Sequence, residues 1–82
     1  MILVDVYSPA LNKSYDFGLE EEAQISQIIE EIVEMICQRE QCSLMENGMQ
    51  FALCSETDKR ILPPDCTVQS CGIKTGNRLI LL

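Results

Sequence analysis

Five cysteines and thirteen carboxylates carry most of the chemistry open to this sequence, and it has no histidine. Cys37 and Cys42 stand five residues apart, and so do Cys66 and Cys71. Close thiolate pairs can hold zinc, and two thiols within reach can cycle as a disulfide. The cysteine count is odd and no Cys-x-x-Cys occurs, which fits neither a zinc site nor a secreted disulfide framework. The plainer reading is reduced thiols in a cytosolic protein. Without histidine, the chain cannot build a Ser-His or Cys-His nucleophile pair and lacks the usual general base near neutral pH.

The carboxylates are concentrated. From Glu20 to Glu40 there are seven acids and one base, Arg39, a net of −6 out of −7 for the whole chain. Hard cations need six or more oxygens converging on one point. No Asp-x-Asp-x-Asp-Gly loop is present, and a convex helix face would spread Glu30, Glu31 and Glu34 outward. Their bland role is solvation of that face. Their functional role would be an acidic surface that steers a basic partner and weakens with salt. No metal, cofactor or catalytic residue is expected.

The wider balance sharpens these exclusions. A chain of 82 residues buries about 60–65% of its unfolded surface, enough for one thin core and too little for a two-lobed enzyme with a deep cleft. Residues 1–82 are therefore read as a single domain. A charge of −7 repels nucleic acid phosphates and anionic lipid headgroups. With aromatic residues at 5% and no Trp, base-stacking platforms are scarce. No run approaches the ~20 apolar residues of a membrane span, and no basic segment precedes the apolar start at Ile2. Direct membrane insertion is thus not expected.

Hydrophobic periodicity then shows what must position these residues. Ile2, Val4 and Val6 alternate with Asp5 and Tyr7, and Tyr15, Phe17 and Leu19 alternate with Ser14 and Asp16. A Pro9–Asn12 turn separates the two runs, which predicts an antiparallel hairpin. The period changes at Ile25. Ile25, Ile28, Ile29, Ile32, Val33 and Ile36 form an apolar helical stripe, with Gln27, Glu30, Glu31, Glu34 and Gln38 opposite. Glu20 to Glu22 stand before or within the first turn, where the helix dipole favours anions. β-Branched residues are poor helix formers, so this helix must depend on packing against a sheet.

Asn47-Gly48 marks a turn into a third strand, with Met49, Phe51 and Leu53 inward and Gln50, Ala52 and Cys54 outward. A polar turn from Ser55 leads to a short fourth strand at Arg60-Ile61-Leu62, which Pro63-Pro64 ends. Thr67 can cap a short helical turn through Ser70, and Gly72 can close it in a left-handed conformation. A last strand follows at Arg78–Leu82, with Leu79 and Leu81 inward. The class is α+β: a mixed five-stranded sheet wrapped around one helix, its first and last strands parallel in the middle. The basic residues Lys13, Lys59, Arg60, Lys74 and Arg78 all lie off the helix, which predicts a dipolar molecule.

This order resembles the β-grasp fold of ubiquitin over the whole chain. The sharpest likeness lies in Asp65-x-Thr67-Val68-x-Ser70-x-Gly72-Ile73-x-x-Gly76-x-Arg78-Leu79, which is similar to the closing segment of ubiquitin-like domains. Within that fold the chain looks like the bacterial YukD-like proteins encoded with WXG100 (type VII) secretion systems. The resemblance implies a cytoplasmic, non-enzymatic adaptor or regulator that binds protein components of such a system. Conjugated modifiers and sulfur carriers end in Gly-Gly, whereas this sequence reads Leu81-Leu82 there, so a non-conjugating role is expected. Two alternatives stay open: a modifier or sulfur carrier whose Gly-Gly tail is missing from this sequence, and a cytosolic ubiquitin-like domain of a larger membrane protein.

The sheet's outward face is a common docking patch in ubiquitin-like proteins. Ala52, Ile80 and Leu82 fall on matching strand positions, with Leu11 on the neighbouring hairpin loop. These four are the candidate docking residues, and Glu30, Glu31 and Glu34 the candidate steering face. Scattered surface aliphatics are the bland reading. A homodimer through an exposed strand edge is also open.

Overall fold

The computed structural model describes residues 1–41 and 51–82. Alternation in the first two runs builds β1 (Ile2–Ser8) and β2 (Lys13–Leu19). They pair antiparallel with Ile2 opposite Leu19 and Ser8 opposite Lys13. Asn12 takes φ 53° in the connecting turn, a left-handed conformation that Asn tolerates. Its Oδ1 accepts a 2.8 Å hydrogen bond from the Tyr7 hydroxyl.

The helical stripe forms α1 (Ile25–Glu40), which buries Ile25, Ile28, Ile32, Val33 and Ile36, with Ile29 half-buried beside them. Glu20, Glu21 and Glu22 lie in the turn before the helix, and its first turn carries no acid. Gln24 caps it, its backbone N–H donating to Oε1 of Gln27 at 3.3 Å. The first helical amides find carbonyls from a distant loop: Ile25 N–H donates to Cys66 O (2.8 Å) and Ser26 N–H to Pro64 O (2.9 Å). Helix N-termini otherwise leave such donors unpaired.

β3 (Leu53–Ser55), β4 (Arg60–Ile61) and β5 (Arg78–Leu81) complete a sheet of order β2-β1-β5-β3-β4. β1 and β5 are parallel at its centre, and the other pairs are antiparallel. Ser55, expected in the polar turn, is instead the buried end of β3. Its Oγ accepts from the Asp58 N–H at 3.2 Å and so starts that turn one residue later. Pairing runs past the named strands. Ala52 and Leu82 exchange backbone hydrogen bonds of 3.0 and 2.8 Å, and Leu62 N–H reaches Leu53 O at 2.8 Å. The expected Asn47-Gly48 turn, the Met49 and Gln50 positions of the third strand, and Cys42 lie outside the described residues.

From Cys66 to Gly72 the chain makes hydrogen-bonded turns and no helix. Thr67 Oγ1 accepts from Ser70 N–H (3.1 Å) while Ser70 Oγ accepts from Thr67 N–H (3.0 Å). This reciprocal pair satisfies the turn without further helical residues. Gly72 ends it at φ 74°. The stretch from Leu62 to Ile73 drops Leu62, Val68, Cys71 and Ile73 into the same hydrophobic cluster that holds the helix stripe and the inward faces of β1, β2, β3 and β5.

At the other end of the helix, a polar clamp joins it to the hairpin. Lys13 Nζ and the Tyr15 hydroxyl donate to the two oxygens of Glu40 at 2.7 and 2.9 Å. The Lys13 ammonium, and after it the Tyr15 hydroxyl, hold the Glu40 carboxyl below the usual carboxylate range. The hydrogen bond to Glu40 in turn raises Lys13.

Candidate functional site, the open face of the sheet

One face of the sheet covers the helix and the other is open. Strand alternation sends Leu3, Asp5 and Tyr7 of β1 and Arg78 and Ile80 of β5 to the open side. Register then aligns them with their neighbours. Tyr7 stands opposite Ser14 and Ile80, Ile80 opposite Cys54, and Cys54 opposite Ile61. Tyr7, Ile80, Cys54 and Ile61 thus make an apolar row across four adjacent strands. Ile61 is 64% exposed, on the edge strand. Leu82 and Ala52 stand as a mutually hydrogen-bonded pair two residues further along, with Leu82 57% exposed. A shallow hollow of about 260 Å³ opens among Cys54, Ile61 and Ile80, with Lys59 and Arg60 at its rim.

The neighbouring row is charged. Asp16 pairs with Asp5, and Asp5 with Arg78. Glu56 joins through its N–H to the Arg78 carbonyl at 3.0 Å. The Arg78 guanidinium lies 3.2 Å from Glu56, 3.5 Å from Asp5 and 5.3 Å above the centre of the Tyr7 ring. Two carboxylates therefore flank one cation, and Asp16 stands one strand further out. This changes the expected dipole, because the sheet face is itself net acidic around Arg78.

The structure brings Ala52, Ile80 and Leu82 together on this face. It does not bring Leu11 there: Leu11 is half-buried in the β1–β2 turn, packed against the core. Tyr7, Cys54 and Ile61 belong to the row and are not among the four candidates. Their facing alone does not reveal them, because the row depends on strand order. Glu30, Glu31 and Glu34 are exposed on the far side of the molecule, on α1. Glu31 and Glu34 flank the exposed Met35.

Cys54, Cys66 and Cys71 are free thiols. Cys66 and Cys71 do meet across their turn, and burial, with Cys66 alongside, pushes the Cys71 thiol up. A raised thiol is a poorer nucleophile at neutral pH. Among the described residues no three His, Cys, Asp or Glu side chains converge as a metal site. Nor is any described helix long and apolar enough to cross a membrane.

Comparison with known proteins decides the family. The model of YukD, a protein of the WXG100 protein secretion system (Wss), matches residues 2–81. The chain belongs to the YukD family. No curated protein matches its sequence significantly. Among solved structures, the chain is similar to the EccD5 ubiquitin-like domain from Mycobacterium xenopi, with TM-score 0.77, 20% identity, and 99% of this chain and 91% of that one covered. It also superposes on a subunit of a MycP5-free ESX-5 inner membrane complex, with TM-score 0.81 and 19% identity. That match covers 99% of this chain but only 20% of the subunit, so the YukD-family chain spans about a fifth of its length. An Arabidopsis thaliana ubiquitin-like domain aligns with TM-score 0.71 at 13% identity, covering 99% of this chain and 74% of that one. The fold is therefore ubiquitin-like, a five-stranded mixed sheet around one helix, in a family associated with type VII secretion.

Proposed function

We propose that residues 1–82 act as one ubiquitin-like module, a cytoplasmic, non-enzymatic and non-conjugating adaptor of a type VII secretion system. It docks through the open sheet face onto a protein component of that system, while the acidic helix face steers the encounter. The carrying observation is the unbroken apolar row Tyr7–Ile80–Cys54–Ile61 across four strands, extended by Leu82 and Ala52. An apolar patch of this kind on a small domain marks a contact surface. The family match and the likeness to a subunit of a secretion-system membrane complex support the choice of partner class.

The test is affinity purification of the tagged chain from its native host, beside the Ile80→Asp and Ile61→Glu variants. Secretion-system components should co-purify with the wild type and be lost with both variants, while circular dichroism shows the fold retained. Equal recovery from all three would remove the sheet face from the account. An ATP-dependent adduct of the chain on other proteins would contradict the non-conjugating role.

The second reading, a ubiquitin-like domain of a longer membrane protein, is favoured by the ESX-5 match, in which the chain corresponds to one part of a larger subunit. An open reading frame that continues into apolar spans would establish it.

A further inference from the structure

Asp5 and Asp16 are paired residue to residue on β1 and β2, with both side chains on the open face. Like charges directly opposite on neighbouring strands weaken a sheet. The Arg78 guanidinium reaches only one member of the pair, Asp5. Arg78 sits on the far side of Asp5, held by Asp5 and Glu56 and stacked over Tyr7. Asp16, on the outermost strand, forms no ion pair with any described residue. The face thus has an acidic end at β1–β2 and an apolar hollow at Cys54, Ile61 and Ile80, where Glu56, Lys59 and the Asp58-paired Arg60 bring both signs of charge.

From this pattern we infer that the docking segment of the protein partner is basic as well as apolar. One aliphatic or aromatic side chain enters the hollow, and a Lys or Arg of the same segment neutralises Asp5 and Asp16. The inference rests on the docking role proposed above and adds the partner's chemistry. Strands lie about 4.8 Å apart and the two rows about 7 Å apart along them, so the hollow and the carboxylate pair are separated by roughly 14 Å. An extended segment covers that distance in about four residues. A second copy of this chain is a poor occupant, because its exposed helix face carries Glu30, Glu31 and Glu34 and would be repelled.

The experiment is a two-dimensional NMR titration of the ¹⁵N-labelled full chain with three capped synthetic pentapeptides: Leu-Ser-Gly-Ser-Lys, Leu-Ser-Gly-Ser-Glu and Ala-Ser-Gly-Ser-Lys. The Leu/Lys peptide should shift Tyr7, Cys54, Ile61 and Ile80 together with Asp5 and Asp16, at millimolar concentration or below. The other two should bind that face roughly threefold to tenfold more weakly. Asp16→Lys should weaken the Leu/Lys peptide by a similar factor, whereas Asp65→Lys, at an exposed position and with the same change in net charge, should not. Equal binding of the Leu/Lys and Leu/Glu peptides at the row would overturn the charge assignment and leave the docking face standing. Equal losses in the two Lys variants would reduce the effect to bulk charge and overturn it also. Shifts confined to Glu30, Glu31 and Glu34, or no shifts in the row, would overturn the inference without touching the native-partner test above.

Discussion

Asp16→Lys should make the protein more stable. Across the sheet the charged row reads Asp16, Asp5, Arg78, Glu56, so two acids stand side by side before the signs alternate. With Lys at position 16 the row becomes plus, minus, plus, minus. A cross-strand pair of opposite charge contributes about 0.2–1 kcal/mol, and a like pair costs a similar amount. Exposure to solvent keeps the value toward the low end. The swing is therefore about 1 kcal/mol, helped slightly by a smaller net charge. For a domain of this size, that raises the melting temperature by about 4–8 °C. Thermal unfolding followed by circular dichroism, at low salt and in 1 M salt, is the assay. Screening shortens the Debye length to about 3 Å at 1 M, so most of the gain should vanish there. Asp16→Asn should show roughly half the gain. An unchanged or lowered melting temperature, or a gain indifferent to salt, would refute the claim that the opposed carboxylates repel across this pair.

Other consequences follow from the same geometry. Leu62→Ala empties a site only 1% exposed beneath the loop and should cost about 2–5 kcal/mol in a urea titration, a large share of the roughly 4–12 kcal/mol total for a chain this long. Gly72→Ala meets no atom within 4 Å, so its cost is purely that of φ 74° and should be about 1–2 kcal/mol; a neutral result would place the turn in another conformation. The Lys13–Glu40 clamp sets a pH window. Glu40 is lowered in the folded state, so its contribution is present above the unfolded carboxylate value and fades as pH falls through the folded one. Lys13 is raised, so its part is lost only as pH climbs through its folded value. The contribution is therefore level between roughly pH 5 and pH 10. Glu40→Gln should flatten the acid limb of stability against pH, and an unchanged acid limb would count against the clamp.

The elements that dominate the fold were legible because their periods are local. The stripe from Ile25 to Ile36 and the alternation in Ile2–Val6 and Tyr15–Leu19 each specify a face without reference to the rest of the chain. Boundaries were less so. Gln24 is an uncommon cap, and the amides it leaves are met by carbonyls some forty residues away, at Pro64 and Cys66. Nothing within a helical window reports that. The Thr67–Ser70 exchange is legible as capping chemistry, but two side chains that each accept from the other residue's N–H complete a turn without starting a helix. Half of the proposed docking row is legible in the sequence. Ala52, Ile80 and Leu82 follow from alternation in their strands, whereas Tyr7 and Ile61 join them only through strand order and register, which are long-range properties. Leu11 was misplaced for the opposite reason: a hairpin turn folds back, and its apolar residue meets the core edge.

Site-specific photo-crosslinking in the native host tests the central claim most directly, with a photoreactive residue at position 61, 80 or 30 in turn. Positions 61 and 80 should each capture a protein component of the type VII machinery, and position 30, on the helix, should capture none or far less. Crosslinks concentrated at position 30, with 61 and 80 silent, would contradict docking through the open sheet face.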